Sequence, residues 1–291
     1  MGEMTLVNVV VGGVRSPVRQ SMPAGSQEVQ EAVVFVHGNP GSSEDWSALL
    51  PQVGEFARAI APDMPGYGRA DRPAGFDYTV PGYAAHLAGV LEQLGVARVH
   101  LVLHDFGGLW GLHFAAEHPE RIASITLFNI GAMPGYRWHR FARIWRTPIL
   151  GEIFQLTATR AAFGMLLNRD NPRPFPDEFI DRMHRDADWP MKRAVLKLYR
   201  ATDDPGGDVV ELAQRIKAEC DPPTLVLWGD GDSYLPVAYA QRQTEFFDAA
   251  VHVLAECGHW PMIDDPERVS ALVLPFLRTQ VLGAPNHGES Q

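Results

Sequence analysis

Cysteine is nearly missing: Cys220 and Cys257 are the only two in 291 residues. One disulfide is arithmetically open, but no disulfide framework can organise a chain of this length. Long apolar runs are missing as well. No stretch reaches the roughly 18 residues a membrane-spanning helix needs. The opening MGEMTLVNVVVGG has no Lys or Arg before its apolar run, which argues against a secretory leader. Positive charge is the minority sign, with 25 Lys and Arg against 35 Asp and Glu and a formal net charge of −10. That balance supplies neither a nucleic-acid footprint nor a polybasic membrane patch. His104, His113 and His118 show no metal-ligand spacing and read as structural or surface residues. The expectation is a cytoplasmic protein without metal or organic cofactor, with no nucleic-acid or membrane partner; a homodimer is left open.

What is present is an ordinary globular composition, 46% hydrophobic and 21% charged, enough for a large core. Strands and helices alternate over residues 1–133. EAVVFVHG and RVHLVLH are continuous apolar runs ending at a turn, suited to strands buried on both faces. TLVNVVV and SPVRQS read as an opening hairpin, and PVAYAQRQTEFF as a helix. Between 134 and 218 the chain turns Arg-, Trp- and Phe-rich and helical, and over 219–282 the alternation resumes. This predicts an α/β core of 1–133 and 219–282, a helical cap inserted at 134–218, and a flexible tail at 283–291. Ligands of such sheets bind beyond the carboxyl ends of the strands.

The polar motifs fall at those ends. In HLVLHDFGG, Asp105 stands where a strand must turn sharply into a helix, with Gly107 and Gly108 beside it. It is either a helix cap or a nucleophile held at the tip of a tight turn. His259 in LAECGHWP sits in a loop after a late strand, a place for a general base. Asp232 in WGDGDSYLP could orient that imidazole, with Asp230 a competitor that reads as the turn former. The order nucleophile, acid, base is the one expected of an α/β-hydrolase. The loop HGNPGSSEDW would supply one oxyanion N–H from Asn39, and Phe106 the second.

LHDFGG and HGNPGSS together resemble the aspartate-nucleophile branch of the α/β-hydrolase superfamily, the epoxide hydrolases and haloalkane dehalogenases. The resemblance covers the core well and the cap poorly. It implies a mostly parallel, eight-stranded sheet flanked by helices, with the cap as a lid. It departs at Leu103, where a small residue is usual two places before the nucleophile. The implied chemistry is displacement at an sp3 carbon by Asp105, giving an alkyl ester that water activated by His259 then hydrolyses. A serine esterase or C–C hydrolase would need Ser at 105, and the chain has Asp.

The leaving group divides the branch. An epoxide alkoxide needs a proton, and LKLYRATDD resembles the cap segment that carries a ring-opening tyrosine, here Tyr199; the alternative is a packing tyrosine. A halide needs N–H donors. Asn39 holds the halide-binding position, but Phe106 stands where dehalogenases place Trp. Tyr136 is the other cap tyrosine; Trp138, Trp145 and Trp189 could be donors or apolar wall. His37, Pro40, Tyr136, Trp138 and Trp260 are taken as substrate contacts. The resulting expectation is an epoxide hydrolase acting on an apolar epoxide with water. A haloalkane dehalogenase comes second, and a catalytically inactive hydrolase-like binding protein last.

Overall fold

The computed structural model describes residues 3–25, 29–157 and 159–283. The expected tail, apart from Gly283, lies outside the described residues. Eight strands form one sheet: β1 (Glu3–Val11), β2 (Val14–Met22), β3 (Glu31–Val36), β4 (Ala59–Pro62), β5 (Arg98–His104), β6 (Ile122–Phe128), β7 (Thr224–Gly229) and β8 (Ala249–Leu254). Their order is β1-β2-β4-β3-β5-β6-β7-β8. β1 with β2 and β2 with β4 are antiparallel; all other pairs are parallel. The sheet is therefore the mostly parallel, eight-stranded one that the alternation and the resemblance implied.

Helices α1 (Leu50–Val53), α2 (Val80–Gln93) and α3 (Phe106–Glu117) follow β3, β4 and β5. Then α4 (Arg140–Arg146), α5 (Leu150–Leu156), α6 (Arg160–Arg169), α7 (Asp177–Asp186), α8 (Trp189–Ala201) and α9 (Pro205–Glu219) fill the chain between β6 and β7. α10 (Pro261–Asp264) and α11 (Pro266–Leu282) close it. Successive side chains of a strand face opposite ways. Val34, Val36, Leu101 and Leu103 accordingly join the apolar layer under α2, α3 and α9, while Val33, Phe35 and Val102 join the layer under α1 and α11. Among the described residues no helix is long and apolar enough to cross a membrane.

Two segments differ from the sequence reading. PVAYAQRQTEFF forms short 3-10 turns, Val237–Tyr239 and Gln241–Glu245, rather than an α-helix. The cause is Gln243, which is fully buried and spends its amide on the N–H and carbonyl of Ala132 and the carbonyl of Tyr239. α9, although inside the expected insert, puts Val209, Leu212, Ala213 and Ile216 into the apolar layer of the sheet. By packing it goes with the core, and α4–α8 stand over the strand ends. Arg182 of α7 holds that layer down by donating to Ser42 Oγ and to the buried Asp45 carboxylate at 2.8 and 2.6 Å.

Candidate active site

Asp105 follows β5 with φ 50° and ψ −127°. A non-glycine residue there carries strain of order 1–3 kcal/mol, which only dense surroundings sustain. A Cβ on Gly107 would run into the carbonyls of Val36 and His37, and one on Gly38 into Asp105 itself. Leu103 is accommodated because Gly111 on α3 leaves the space that the leucine side chain fills. The carboxylate does not cap α3; it makes no hydrogen bond to the first turn of that helix. It points instead across the strand ends. Oδ1 accepts the Asn39 N–H at 2.7 Å, and Oδ2 lies 3.4 Å from His259 Nε2.

His259 Nδ1 lies 2.8 Å from Asp232 Oδ2. Asp232 Oδ1 accepts the N–H groups of Tyr234 and Leu235 at 2.7 and 2.9 Å, which fixes its second oxygen toward the imidazole. Asp230 accepts the Glu256 N–H and only shapes the loop. Asp232 and His259 are buried, and the Asp105 side chain keeps 13% of its surface open. Burial opposes ionisation of Asp105, but the His259 hydrogen bond and charge, with the Asn39 N–H, hold its pKa down to about 2. Burial likewise opposes ionisation of Asp232, and His259 with Asn129 lowers it. Burial disfavours the His259 cation, yet Asp232 and then Asp105 raise its pKa to about 10. At neutral pH the site is two carboxylates with one imidazolium between them.

Two residues support the set: Asn129, which was not foreseen, and His104, read from the sequence as structural or surface. Asn129, fully buried at the end of β6 with φ 48°, donates to Asp232 Oδ2 at 2.6 Å and to the Gly258 carbonyl, and accepts from the Gly229 N–H. It ties three loops together. Its signal was positional: His104 pairs with Phe128 in the sheet, so Asn129 is level with Asp105. His104 donates from Nε2 to the His259 carbonyl at 2.7 Å. Burial first, then the neighbouring His259, lowers its pKa to about 4, so it is a neutral brace.

Tyr199 descends from α8, which Asp188 caps at the Met191 N–H. Its hydroxyl accepts from Asn39 Nδ2 at 3.3 Å, and among the described residues its own proton has no acceptor. Burial, then the Asp105 charge, raises its pKa well above the usual tyrosine value. His139 was also missed. Its Nδ1 accepts the Ala142 N–H, capping α4, and burial lowers its pKa to about 4. The neutral ring therefore carries its proton on Nε2.

These groups border two apolar chambers that meet at Asp105, His139, Tyr199 and Tyr234. The larger takes its walls from Pro40, Phe141, Trp145, Phe163, Val195 and Trp260 among others. The smaller is walled by Phe106, Leu109, Ile130, Tyr136, Trp138 and Leu235 among others. Of the nominated contacts, Pro40 and Trp260 thus face one chamber, and Tyr136 and Trp138 the other. Tyr136 turns its hydroxyl to the Tyr234 carbonyl at 3.3 Å. Phe106 stacks on Trp138 and meets Tyr199 edge-on, and its N–H makes no bond to the Asp105 carboxylate. His37 does not reach either chamber. It is fully buried, with Nδ1 donating to the Gly38 carbonyl and Nε2 accepting the Met64 N–H, so it holds the loop together instead. Trp189 is 41% exposed at the start of α8 and also lies outside. Among the described residues no group of three or more His, Cys, Asp or Glu is arranged to hold a metal.

The chain resembles known proteins along most of its length. It is 28% identical over 257 residues to a 2-hydroxy-6-oxo-2,4-heptadienoate hydrolase of Pseudomonas putida, covering 85% of this chain and 89% of that one. The solved structure of a haloalkane dehalogenase from Bradyrhizobium elkani superposes with a TM-score of 0.81 at 23% identity, over 97% of this chain and 100% of that one. The epoxide hydrolase CorEH superposes with a TM-score of 0.77 at 17% identity, over 94% and 100%. At these identities the two structures speak to the fold alone. The model of the alpha/beta hydrolase fold matches residues 31–266. With the sheet order and the strand-end site in agreement, the chain belongs to the α/β-hydrolase family.

Proposed function

We propose that the protein hydrolyses an epoxide on an apolar skeleton to a vicinal diol through an ester on Asp105. The observation that carries this reading is the Tyr199 hydroxyl, which accepts from Asn39 and keeps its own proton free beside an ionised carboxylate. Asp105 attacks an epoxide carbon, and the C–O bond breaks. The leaving alkoxide takes the Tyr199 proton, with His139 Nε2–H as a second uncharged donor. The imidazolium of His259 returns a proton to the tyrosinate and becomes a base. Water then gives His259 its proton and attacks the ester carbonyl, whose oxygen rests on the Asn39 N–H. The diol leaves with Asp105 ionised and His259 charged again. Carboxylate attack on a carbonyl would give a labile anhydride, so the keto-dienoate hydrolysis named for the Pseudomonas relative does not carry over to a chain with Asp at 105.

A second reading, dehalogenation of a haloalkane, is favoured by one observation. Trp138, Trp145 and Trp260 stand in the chamber walls, and among the described residues their indole N–H groups have no hydrogen-bond partner and could solvate a halide. Tyr199→Phe separates the readings. With epoxides kcat should fall by about 10²-fold or more, the scale of a lost general acid. With bromoalkanes it should change by no more than a few-fold. Equal losses would remove the tyrosine from proton donation.

The pH dependence follows from the same charges. Esterification removes the Asp105 charge, one of the two that raise the His259 pKa, so in the ester form that pKa drops below about 10. Ester hydrolysis needs the neutral ring and is lost as pH falls through that lowered value. Ester formation needs only ionised Asp105 and persists toward about pH 2, as far as the fold survives. Steady-state turnover should therefore fall on the acid side while single-turnover ester formation, followed by rapid quench, stays flat. Parallel loss of both would contradict the assignment.

A further inference from the structure

Two polar side chains that the proposed reaction does not use, Lys192 and Gln155, line the larger chamber. Gln155, on α5, is only 8% exposed, yet among the described residues its side-chain amide has no hydrogen-bond partner. Lys192, on α8, is half-buried, and its ammonium likewise makes no hydrogen bond or ion pair among the described residues. Asp188, one turn away, is already held by Arg72 at 3.1 Å.

Periodicity fixes where Lys192 lies. Lys192, Val195 and Tyr199 stand at positions i, i+3 and i+7 of α8, on one face of the helix, and all three line the chamber. Seven residues advance the helix by about 10 Å. The side chain of Lys192 leans toward the helix N-terminus and so further from Tyr199. The rest of the wall is largely apolar, with Phe141, Phe163, Val195 and Met191 among its residues. The site around Asp105 carries two carboxylates and one imidazolium, a net negative end that repels an anion toward Lys192.

The geometry points to a head-group subsite at Lys192 and Gln155 for a carboxylate, joined by an apolar arm of about 10 Å to the group that reacts at Asp105. The ammonium supplies the countercharge and the amide N–H a hydrogen bond, while the apolar wall fixes the distance. This assigns the substrate class as an apolar acid with its reactive group remote from the carboxylate. It rests on the ester-forming reading for the reacting end only; the subsite stands on its own residues.

The test uses octanoate and octan-1-ol, which cannot react, titrated calorimetrically into the whole protein. Octanoate should bind wild type and Lys192→Arg alike and bind Lys192→Met at least about fivefold more weakly, the scale of a partly exposed ion pair. Octan-1-ol should bind all three within about twofold, which also reports an intact chamber. Equal octanoate affinity for wild type and Lys192→Met overturns the subsite. So does equal weakening of both ligands in Lys192→Met, which makes the lysine mere wall. Because neither ligand reacts, failure of epoxide turnover would leave this result standing, and failure here would leave the chemistry at Asp105 untouched.

Discussion

Asp105→Asn will lose about four orders of magnitude of turnover or more and will keep its fold. The amide has the same shape and tolerates positive φ about as well as Asp does. Its oxygen can still accept the Asn39 N–H. What disappears is the anionic oxygen that would form the proposed ester, and no neighbouring group replaces it. Asp232, the other carboxylate of the set, is occupied by His259, Asn129 and two backbone N–H groups. The His259 pKa must also fall, because one of its two carboxylate partners is neutralised. Steady-state rates and a thermal melt, measured together, check this. A melt near that of wild type with activity within about 100-fold would move the nucleophile elsewhere.

Asp232→Asn will be nearly as severe, about 10³- to 10⁴-fold in kcat, the scale of a triad acid replaced by its amide. The reason lies in the hydrogen-bond directions. Asp232 Oδ1 accepts two backbone N–H groups, so an asparagine would turn its carbonyl oxygen there. Its NH₂ would then face both the Asn129 NH₂ and the His259 Nδ1 proton, donor against donor. The imidazole escapes by carrying its proton on Nε2, the nitrogen that must accept from water. Ester formation needs no such proton transfer from His259 and should fall far less than turnover. The ester should therefore accumulate. Equal loss of both steps would show that Asp232 supports the architecture of the loop rather than the base.

How much of this the residues disclose on their own depends on the range of the interaction. β3 and β5 were legible because a strand buried on both faces is a continuous apolar run, and Asp105 because a carboxylate at its tip breaks that run. His259 and Asp232 were legible through their place in loops after late strands. Asn129, His139 and Tyr234 were not. Each is an ordinary residue in its own segment, and its meaning arises from partners 100 or so positions away, as Asn129 finds in Asp232. Gln243 shows the same limit in the backbone, where one buried amide overrides a helical pattern. His37 shows the converse: a histidine in the right motif whose two nitrogens are taken up by the loop that carries it.

The ester on Asp105 is the centre of this account, and the direct measurement is intact-protein mass of His259→Gln after incubation with small epoxides, and separately with small bromoalkanes. Removing the base should stall hydrolysis and leave the adduct in place. The account predicts a gain equal to one whole epoxide molecule, absent when Asp105→Asn is added. A gain of one alkyl group with bromide released, and nothing from epoxides, would contradict the epoxide assignment and favour the dehalogenase reading. No adduct from either series, in a variant that still fills its chambers with octan-1-ol, would contradict the nucleophilic role of Asp105 itself.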